Sequence, residues 1–392
     1  MRLRERAGSK VSPAGERPAA EYAEGLAARD NARSAEFTLS TYQYDLPPDL
    51  IAQQPVHTRD ESRLLRLDRH TGTVDHHAFK DLPRLLRPSD LLVLNETRVA
   101  PCALTARKPT GGRVSLLVLD PANRGHPRDS NESASRVCIA GSSKPLRAGA
   151  TVTVENGPEI LIEKTLGQGR VLVRFPVGEE DEDGVLGFLE KYGTAPLPPY
   201  IRAGDNAESF HKERYQTVYS RISGSVAAPT AGLHFTRELL EELKKAGIRT
   251  ARIVLHVGPG TFTPVREEDV RRHVMESEYY EISRESADVL QTAMEEGRRI
   301  IAVGTTTVRT LESALSAEGR IRPGRGKTDL FILPGHRFRA VQGLVTNFHL
   351  PGSTLLMLAC AFAGTERVLN AYKIAVGGRY RFYSYGDACL ML

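Results

Sequence analysis

After residue 178, short apolar segments alternate with helical patterns, and this alternation limits the possible folds more than any other feature. ARIVLHV (251–257), RIIAVG (299–304) and GLVTNF (343–348) have the length and apolar character of buried strands. Segments with helical spacing separate these strands in the chain, and Thr236, Ser283 and Ser353 are the predicted N-caps of three of these helices. Such alternation predicts an α/β layered domain with a mainly parallel sheet, because parallel neighbours need crossover helices.

A different pattern lies between residues 99 and 177. Several short strand segments follow one another there, with glycine-rich turns between them and almost no helical spacing. This pattern predicts a small all-β barrel inserted into the α/β domain. The predicted organisation is therefore a discontinuous α/β catalytic domain (38–98 and 178–392), an inserted β-barrel domain (99–177) and a flexible N-terminal extension (1–37).

Charge, apolar stretches and cysteines indicate which partners and which compartment the protein can have. The 392 residues carry a formal net charge of +5, which permits an anionic partner without requiring one. The longest apolar stretch, 355–364, is too short to cross a bilayer of about 30 Å, so no membrane partner is expected. Four separated cysteines without a CxxC pair suit a reducing cytoplasm. The oligomeric state stays open, with a monomer favoured.

Four predicted strands end in small and polar residues. These ends are NETR (95–98), HVGPGTF (256–262), VGTTTVR (303–309) and TNFHLPGST (346–354). The carboxyl ends of strands in an open α/β sheet usually border the ligand site, so one shared pocket is predicted. Helix capping by the threonines and a tight turn at the two glycines are the structural alternatives.

Three histidines, His234, His256 and His349, each lie beside a glycine or proline turn. A single histidine is more often a structural hydrogen-bonding group than a catalyst, but three in comparable positions favour a functional role. The sequence has no HExxH, P-loop or GxSxG pattern, so a metal site, a nucleotide triphosphatase and a serine hydrolase are not expected.

Two stretches combine cationic with aromatic or glycine residues. GRIRPGRGK (319–327) and RYRFYSYGD (379–387) have the side chains that hold phosphates and stack unpaired bases of RNA. The alternative for the first is a solvated loop, and the alternative for the second is a place in the core.

A series of long motifs in one order resembles a known family. The motifs include YDLPPDLIAQQP, LNETRVAP, AAPTAGLHFT, LHVGPGTFTPV, AVGTTTVRTLES, LVTNFHLPGSTLLMLACAFAG and YRFYSYGDA. Together they resemble the S-adenosylmethionine:tRNA ribosyltransferase-isomerase family of queuosine biosynthesis, over about residues 42–392. The resemblance implies an enzyme that moves the ribosyl part of S-adenosylmethionine onto 7-aminomethyl-7-deazaguanine at the wobble position of a tRNA. Epoxyqueuosine then remains in the tRNA, and adenine and methionine leave.

The resemblance implies roles for individual residues. S-adenosylmethionine is a co-substrate, with no prosthetic group and no metal expected, and the tRNA binds through its anticodon loop. The sulfonium acidifies the neighbouring ribose CH₂, so a base is needed there. The candidates for catalysis are His234 first, then His256 and Glu278. The candidates for substrate binding are Arg98, Thr230, Gly232, Gly258, Gly260, Thr305, Thr306, Arg309, Asn347, His349, Tyr385 and Asp387.

Departures from the family pattern keep other functions open. They occur at Ala103, Ser115, Glu276 and Gln342. A divergent relative that transfers a nucleoside-derived group to another acceptor is the first alternative. A non-catalytic tRNA-binding protein is the second, and an ordinary methyltransferase ranks last because its glycine-rich loop with a following acidic residue is missing.

Overall fold

The computed structural model describes residues 36–123, 134–178, 184–198, 200–201, 207–262 and 264–392. It contains a large sheet covered by helices and a separate closed barrel, which confirms the predicted fold class. The predicted extension lies almost wholly outside the described residues, which begin at 36. The domain limits proposed from the sequence stay predictions.

The strands and α-helices of the described residues have the following bounds. In chain order the strands are β1 Arg63–Leu67, β2 Val74–Ala78, β3 Leu91–Asn95, β4 Thr97–Val99, β5 Ala103–Arg107, β6 Arg113–Val118, β7 Ser135–Ser142, β8 Thr151–Val154, β9 Glu159–Gly167, β10 Arg170–Arg174, β11 Ile222–Ser225, β12 Arg249–Leu255, β13 Glu278–Ile282, β14 Ile300–Val303, β15 Gly324–Thr328, β16 Gly343–Asn347 and β17 Ala388–Met391. The helices are α1 Leu82–Leu85, α2 Gly184–Tyr192, α3 Ala207–Arg214, α4 Arg237–Lys245, α5 Arg284–Glu295, α6 Thr305–Ala314, α7 Thr354–Ala363 and α8 Thr365–Gly377.

The large sheet has nine strands in the order β15-β13-β12-β3-β14-β16-β17-β1-β2. Its central strands β12, β3, β14 and β16 run parallel, whereas the pairs β15/β13, β13/β12, β16/β17 and β1/β2 are antiparallel. The sheet is therefore mixed, with a parallel centre. Strands β3, β14 and β16 are buried along their whole length, as continuous apolar runs in a sheet covered on both faces should be.

The helix starts predicted from N-cap residues are confirmed. The side chains of Thr236, Ser283 and Ser353 each accept a hydrogen bond from a backbone N–H of the first turn, at 3.0, 3.1 and 3.2 Å. Each bond satisfies a donor that lacks a partner within the helix. Helices α4, α5 and α7 therefore begin where the sequence predicts.

The barrel consists of six antiparallel strands in the closed order β10-β7-β6-β5-β8-β9. Buried and exposed residues alternate along most of these strands, for example in β6 and β10, so each strand turns one set of side chains inward. The enclosed core is rich in valine and isoleucine. Strand β5 was not predicted from the sequence, although the barrel was.

Five elements differ from what the sequence patterns indicate. The basic stretch 319–327 is not only a loop, since most of β15 lies within it, at the edge of the large sheet. The C-terminal segment ends in β17, which inserts between β16 and β1. Helix α8 and strand β13 were not predicted, although the buried residues of α8, Val368, Ala371, Tyr372 and Ala375, follow helical spacing. The helical pattern TTTVRTLESALSAEG predicts a helix over 305–319, but helix α6 ends at Ala314 and Leu315 is extended.

Within the described ranges, no helix combines the length and the apolar character that crossing a bilayer requires.

We expect Gly232→Ala to destabilise the fold by about 1–3 kcal/mol, because the added Cβ overlaps the Tyr219 hydroxyl and lies 2.8 Å from Thr217 Cγ2. Gly377→Ala is the matched control, since a Cβ there meets open space at the end of α8. The control should change the free energy of unfolding by less than about 1 kcal/mol. Urea unfolding measures both values, and equal stability of the two variants would contradict the packing argument.

Candidate functional site

The parallel centre of the sheet brings several strand ends together. Because β12, β3, β14 and β16 run in one direction, their carboxyl ends lie along one edge of the sheet. Residues directly after β12 and β14, and at the end of β16, line a common cavity. The shared pocket predicted from the sequence is therefore present for three of the four strand ends. The fourth, at Asn95, contributes hydrogen bonds beneath it.

The inner cavity, as we name it, has a volume of about 40 Å³. Apolar groups from Val257, Leu355 and Tyr383 form part of its wall. Its polar wall residues are Thr230, Thr305, Thr306, Thr346, Asn347, His349 and Ser384. A cavity of this size admits a few waters or the tip of a ligand rather than a whole nucleoside.

The N-terminus of α6 supplies backbone donors to the inner cavity. Gly304 caps this helix with a φ of +92°, a conformation that favours glycine. Thr305 and Thr306 follow as the first helical residues, and both are buried. Free amides and the dipole at such a terminus attract a carboxylate or other electronegative group.

A larger cleft lies between the barrel and the α/β sheet, and we name it the barrel cleft. Its volume is about 390 Å³, within the range that holds drug-sized ligands. Val257 belongs to the walls of both the barrel cleft and the inner cavity, so the two spaces adjoin. The polar wall residues of the cleft include Asp120 and Arg170 from the barrel side, and His256, Gly258, Glu276 and Glu278 from the sheet side.

Glu278 and Arg309 form an ion pair that is buried on both sides. Glu278 Oε2 contacts the guanidinium, and Oε1 accepts a hydrogen bond from the Gly258 N–H at 2.9 Å. Arg309 also donates from Nε to the Leu330 carbonyl at 2.9 Å. Since both carboxylate oxygens are already engaged, this geometry favours Glu278 as an organiser of the cleft over Glu278 as a base.

His256 is half-buried in the wall of the barrel cleft. Its Nδ1 lies 2.8 Å from Thr97 Oγ1. Gly224 faces the other side of the ring, where a Cβ would lie 3.0 Å from Nε2. The glycine therefore leaves room beside the imidazole, and His256 is the candidate base that borders the large cleft.

His234 lies behind Asn347, outside the walls of both the inner cavity and the barrel cleft. Its Nδ1 is 2.7 Å from Ser62 Oγ, and its Nε2 is 3.3 Å from Asn347 Nδ2. The ring stacks on Phe79 with centroids 4.9 Å apart. Burial lowers the pKa of His234 to about 4. This buried, fully bonded ring is poorly placed to reach a substrate proton.

The other predicted residues divide between the cavities and the surrounding structure. Thr230, Thr305, Thr306, Asn347 and His349 line the inner cavity, and Gly258 lines the barrel cleft. Arg309 borders a small space next to Thr305 and Thr306.

Five predicted binding residues lie outside these walls. Arg98 is exposed on β4, and Gly232 is packed against Tyr219. Tyr385 donates to or accepts from His211 Nδ1 at 2.8 Å, and Asp387 pairs with Arg63 and Arg381. Gly260 lies under Glu276, where a Cβ would be 2.8 Å from Oε2. For Gly232, Gly260, Tyr385 and Asp387, these contacts indicate supporting roles.

Sequence reasoning missed several residues of the site. Arg170 of the barrel forms an ion pair with Glu276 across the cleft, and both side chains are partly exposed. No local signal marks Arg170, because only the folded chain brings β10 to this cleft. Ser62 is likewise remote in sequence from the histidine it contacts. Tyr383 and Ser384 lie in the aromatic C-terminal stretch, whose composition did mark it as unusual.

Comparison with known proteins identifies the family. A family described as queuosine biosynthesis protein matches residues 39–391. The chain belongs to this family. The resemblance seen in the motifs is thereby confirmed.

Individual relatives agree with this assignment. The S-adenosylmethionine:tRNA ribosyltransferase-isomerase of Anaeromyxobacter sp. (strain Fw109-5) is 49% identical over 354 residues, which cover 90% of this chain and 98% of the relative. The protein of the same name from Syntrophomonas wolfei is 49% identical over 356 residues, covering 91% and 97%. A crystal structure of S-adenosylmethionine tRNA ribosyltransferase from Thermotoga maritima is 36% identical and superposes with a TM-score of 0.50, covering 91% of this chain and all of that one.

We expect the free energy of unfolding to fall as the pH drops below about 6.5, the usual pKa of histidine in an unfolded chain. Burial lowers the pKa of His234 to about 4 and that of His349 to about 3, so the folded state resists protonation that the unfolded chain accepts. As the pH falls below about 6.5, each histidine lowers the free energy of unfolding by up to about 1.4 kcal/mol per pH unit. His349→Gln should flatten the slope seen in urea unfolding between about pH 7 and about pH 5, and an unchanged slope would contradict the account.

Proposed function

We propose that the chain is an S-adenosylmethionine:tRNA ribosyltransferase-isomerase. Its near-complete coverage of relatives with this name, at 49% identity, is the observation that carries the proposal. In the proposed reaction the ribosyl part of S-adenosylmethionine moves onto 7-aminomethyl-7-deazaguanine at the wobble position of a tRNA. Epoxyqueuosine-tRNA forms, and adenine and methionine are released. Since the partner is a tRNA, we expect the enzyme to act in the cytoplasm.

The two adjoining spaces support a binding mode for S-adenosylmethionine. The barrel cleft has room for most of the molecule. Asp120, and Glu276 if its partly exposed ion pair with Arg170 opens, suit the positive sulfonium and ammonium. The amide groups at Thr305 and Thr306 suit a carboxylate or ribose hydroxyls. S-adenosylmethionine would thus extend from the cleft toward the inner cavity, with its cationic part between the barrel and the sheet.

The proposed chemistry begins with removal of a proton from the ribose CH₂ next to the sulfonium. The positive sulfur stabilises the resulting carbanion, whose electrons can drive loss of adenine. We assign the base to His256 rather than to His234. When Nδ1 carries the proton shared with Thr97, Nε2 of His256 is the basic nitrogen, and the residue lines the cleft. Glu278 and Arg309 would hold the loop at Gly258 in place.

The direct test is incubation of the purified protein with S-adenosylmethionine and a tRNA that carries 7-aminomethyl-7-deazaguanine. We expect adenine and methionine release together with an epoxyqueuosine nucleoside in the tRNA digest by mass spectrometry. His256→Ala should lower kcat by about 10²–10⁴, the usual contribution of a general base, with S-adenosylmethionine binding retained.

The outcomes of this test separate the functions. Adenine release with a different modified acceptor would favour a divergent relative. Tight tRNA binding without any adenine release would favour a non-catalytic protein. A parent rate for His256→Ala would remove His256 as the base while leaving the enzyme assignment intact.

A cationic strip next to the barrel cleft supports contact with the tRNA backbone. Lys327 of β15 lies opposite Tyr279 of β13, and Arg325 lies opposite Glu281. Tyr279 also belongs to the cleft wall, and the His256 N–H donates to its carbonyl. Both cationic side chains are exposed at the sheet edge. An unpaired wobble base that entered the cleft would bring its flanking phosphates near this edge without melting a duplex.

We expect the double substitution Arg325→Ala and Lys327→Ala to weaken tRNA binding and to lower the slope of log Kd against log salt by about one to two. When the protein makes fewer phosphate contacts, tRNA binding releases fewer counterions, so the salt dependence of Kd becomes smaller. The matched control removes Lys244 and Lys245, two cations at the end of α4. Binding titrations at several salt concentrations measure the slopes, and an equal decrease in both variants would contradict a specific role for the strip.

A further inference from the structure

We propose that Asn347 Oδ1 accepts a hydrogen bond from one N–H or O–H of the adenosyl group, and that His234 and Ser62 hold the amide in the orientation this requires. The inference rests on the proposed function for the identity of the ligand. It makes Asn347 a binding residue and gives His234 a positioning role in place of a catalytic one.

The orientation of the Asn347 amide follows from its partners. Nδ2 lies 3.0 Å from the carbonyl oxygen of Tyr383 and 3.5 Å from that of Ser384. A carbonyl oxygen can only accept, so the nitrogen of the amide must face these two groups. Oδ1 therefore points the other way, and Asn347 is part of the wall of the inner cavity.

His234 fixes the same orientation from a second side. Nδ2 of Asn347 also lies 3.3 Å from His234 Nε2, which can accept only when the imidazole is neutral with its proton on Nδ1. That proton has an acceptor in Ser62 Oγ at 2.7 Å. Burial lowers the pKa of His234 to about 4, so the neutral form is present near neutral pH. Ser62, His234 and Asn347 thus form one directed chain of hydrogen bonds.

Asn347 Oδ1, at the end of this series of hydrogen bonds, has no hydrogen-bond partner among the described residues. Asn347 is 2% exposed, and among the described residues no donor lies within hydrogen-bonding distance of Oδ1. A buried acceptor without a partner is unfavourable and usually meets a ligand or an ordered water. The inner cavity is large enough for the tip of a ligand that carries such a donor.

Asn95 shows what a purely structural asparagine looks like in the same sheet. It also ends a central parallel strand and is also buried. Its Nδ2 donates to the Leu255 carbonyl at 3.0 Å, and its Oδ1 accepts from the N–H groups of Leu255 and Thr97 at 3.0 and 3.2 Å. Both the amide nitrogen and the amide oxygen of Asn95 have hydrogen-bond partners, whereas in Asn347 only the amide nitrogen has them.

Four nucleosides test the subsite on the unaltered protein. Adenosine is compared by calorimetric titration with purine riboside, which lacks the exocyclic amine, and with 2′-deoxyadenosine and 3′-deoxyadenosine, which each lack one hydroxyl. We expect one of the three analogues to bind about tenfold more weakly than adenosine, which identifies the donor as the amine or a hydroxyl. Equal affinity for all four nucleosides, or no binding of any of them, would overturn the proposal.

Two protein variants test the same hydrogen bond between Asn347 and the nucleoside. Asn347→Ser should bind adenosine and the discriminated analogue with affinities that differ by less than about twofold. Asn95→Ala is the control, and we expect it to lower the thermal stability while the ratio of the two affinities stays that of the parent. An unchanged ratio in folded Asn347→Ser would overturn the assignment.

Two substitutions separate positioning from catalysis at His234. In His234→Gln an amide oxygen can still accept from Asn347, so we expect discrimination and kcat near the parent values. In His234→Leu the acceptor is lost, and KM for S-adenosylmethionine should rise by more than kcat falls. If both variants instead lose more than about 100-fold in kcat at unchanged KM, His234 is the base and the positioning role is wrong. Nucleoside titration needs no turnover, so failure of the subsite is distinguishable from failure of the parent protein to release adenine.

Discussion

The parallel alignment of β12, β3, β14 and β16 is the constraint on which the site depends. Parallel pairing turns all four carboxyl ends toward one edge, where the residues after each strand leave the ladder with amides and side chains available. A strand in the opposite direction at β14 would take the Gly304 turn and the start of α6 to the other edge. The inner cavity therefore exists because of sheet direction, and its polar groups come from segments far apart in the chain.

The barrel adds what the sheet edge alone lacks, which is a second wall. Asp120 and Arg170 face His256 and Glu278 across a space roughly ten times the volume of the inner cavity. The ion pair between Arg170 and Glu276 joins the two sides while both groups keep part of their exposure. Such a partly exposed pair contributes little stability, about 0–1 kcal/mol, so it can open for a ligand at small cost. The inserted barrel thus encloses the site without sealing it.

Much of the fold was predictable from local patterns. The apolar runs ending at Asn95 and Asn347 and the caps at Thr236, Ser283 and Ser353 each depend on a few neighbouring residues, and all appear where the sequence indicates. Strand β15 was not predictable, because glycine, arginine and lysine conceal its β character until its partner is known. Strand β17 has only four residues, Ala388–Met391, which is too short a run to indicate a strand by itself.

The site was predictable in location more than in detail. Glycine and threonine at strand ends marked the inner cavity, because the carboxyl ends of parallel strands usually border the ligand site. The role of His234 was harder to see. Its burial comes from Phe79 and Ser62, two residues more than 150 positions earlier in the chain, and a turn beside a histidine cannot reveal which way the ring faces.

A crystal structure of the protein with S-adenosylhomocysteine would show whether the strand ends and the barrel together bind the adenosyl group. We expect the ligand between the barrel and the sheet, with its adenosyl part against Asn347 and the N-terminus of α6 and its sulfur on the side of His256. An adenosyl group bound elsewhere, with the inner cavity and the barrel cleft filled by solvent alone, would contradict this expectation.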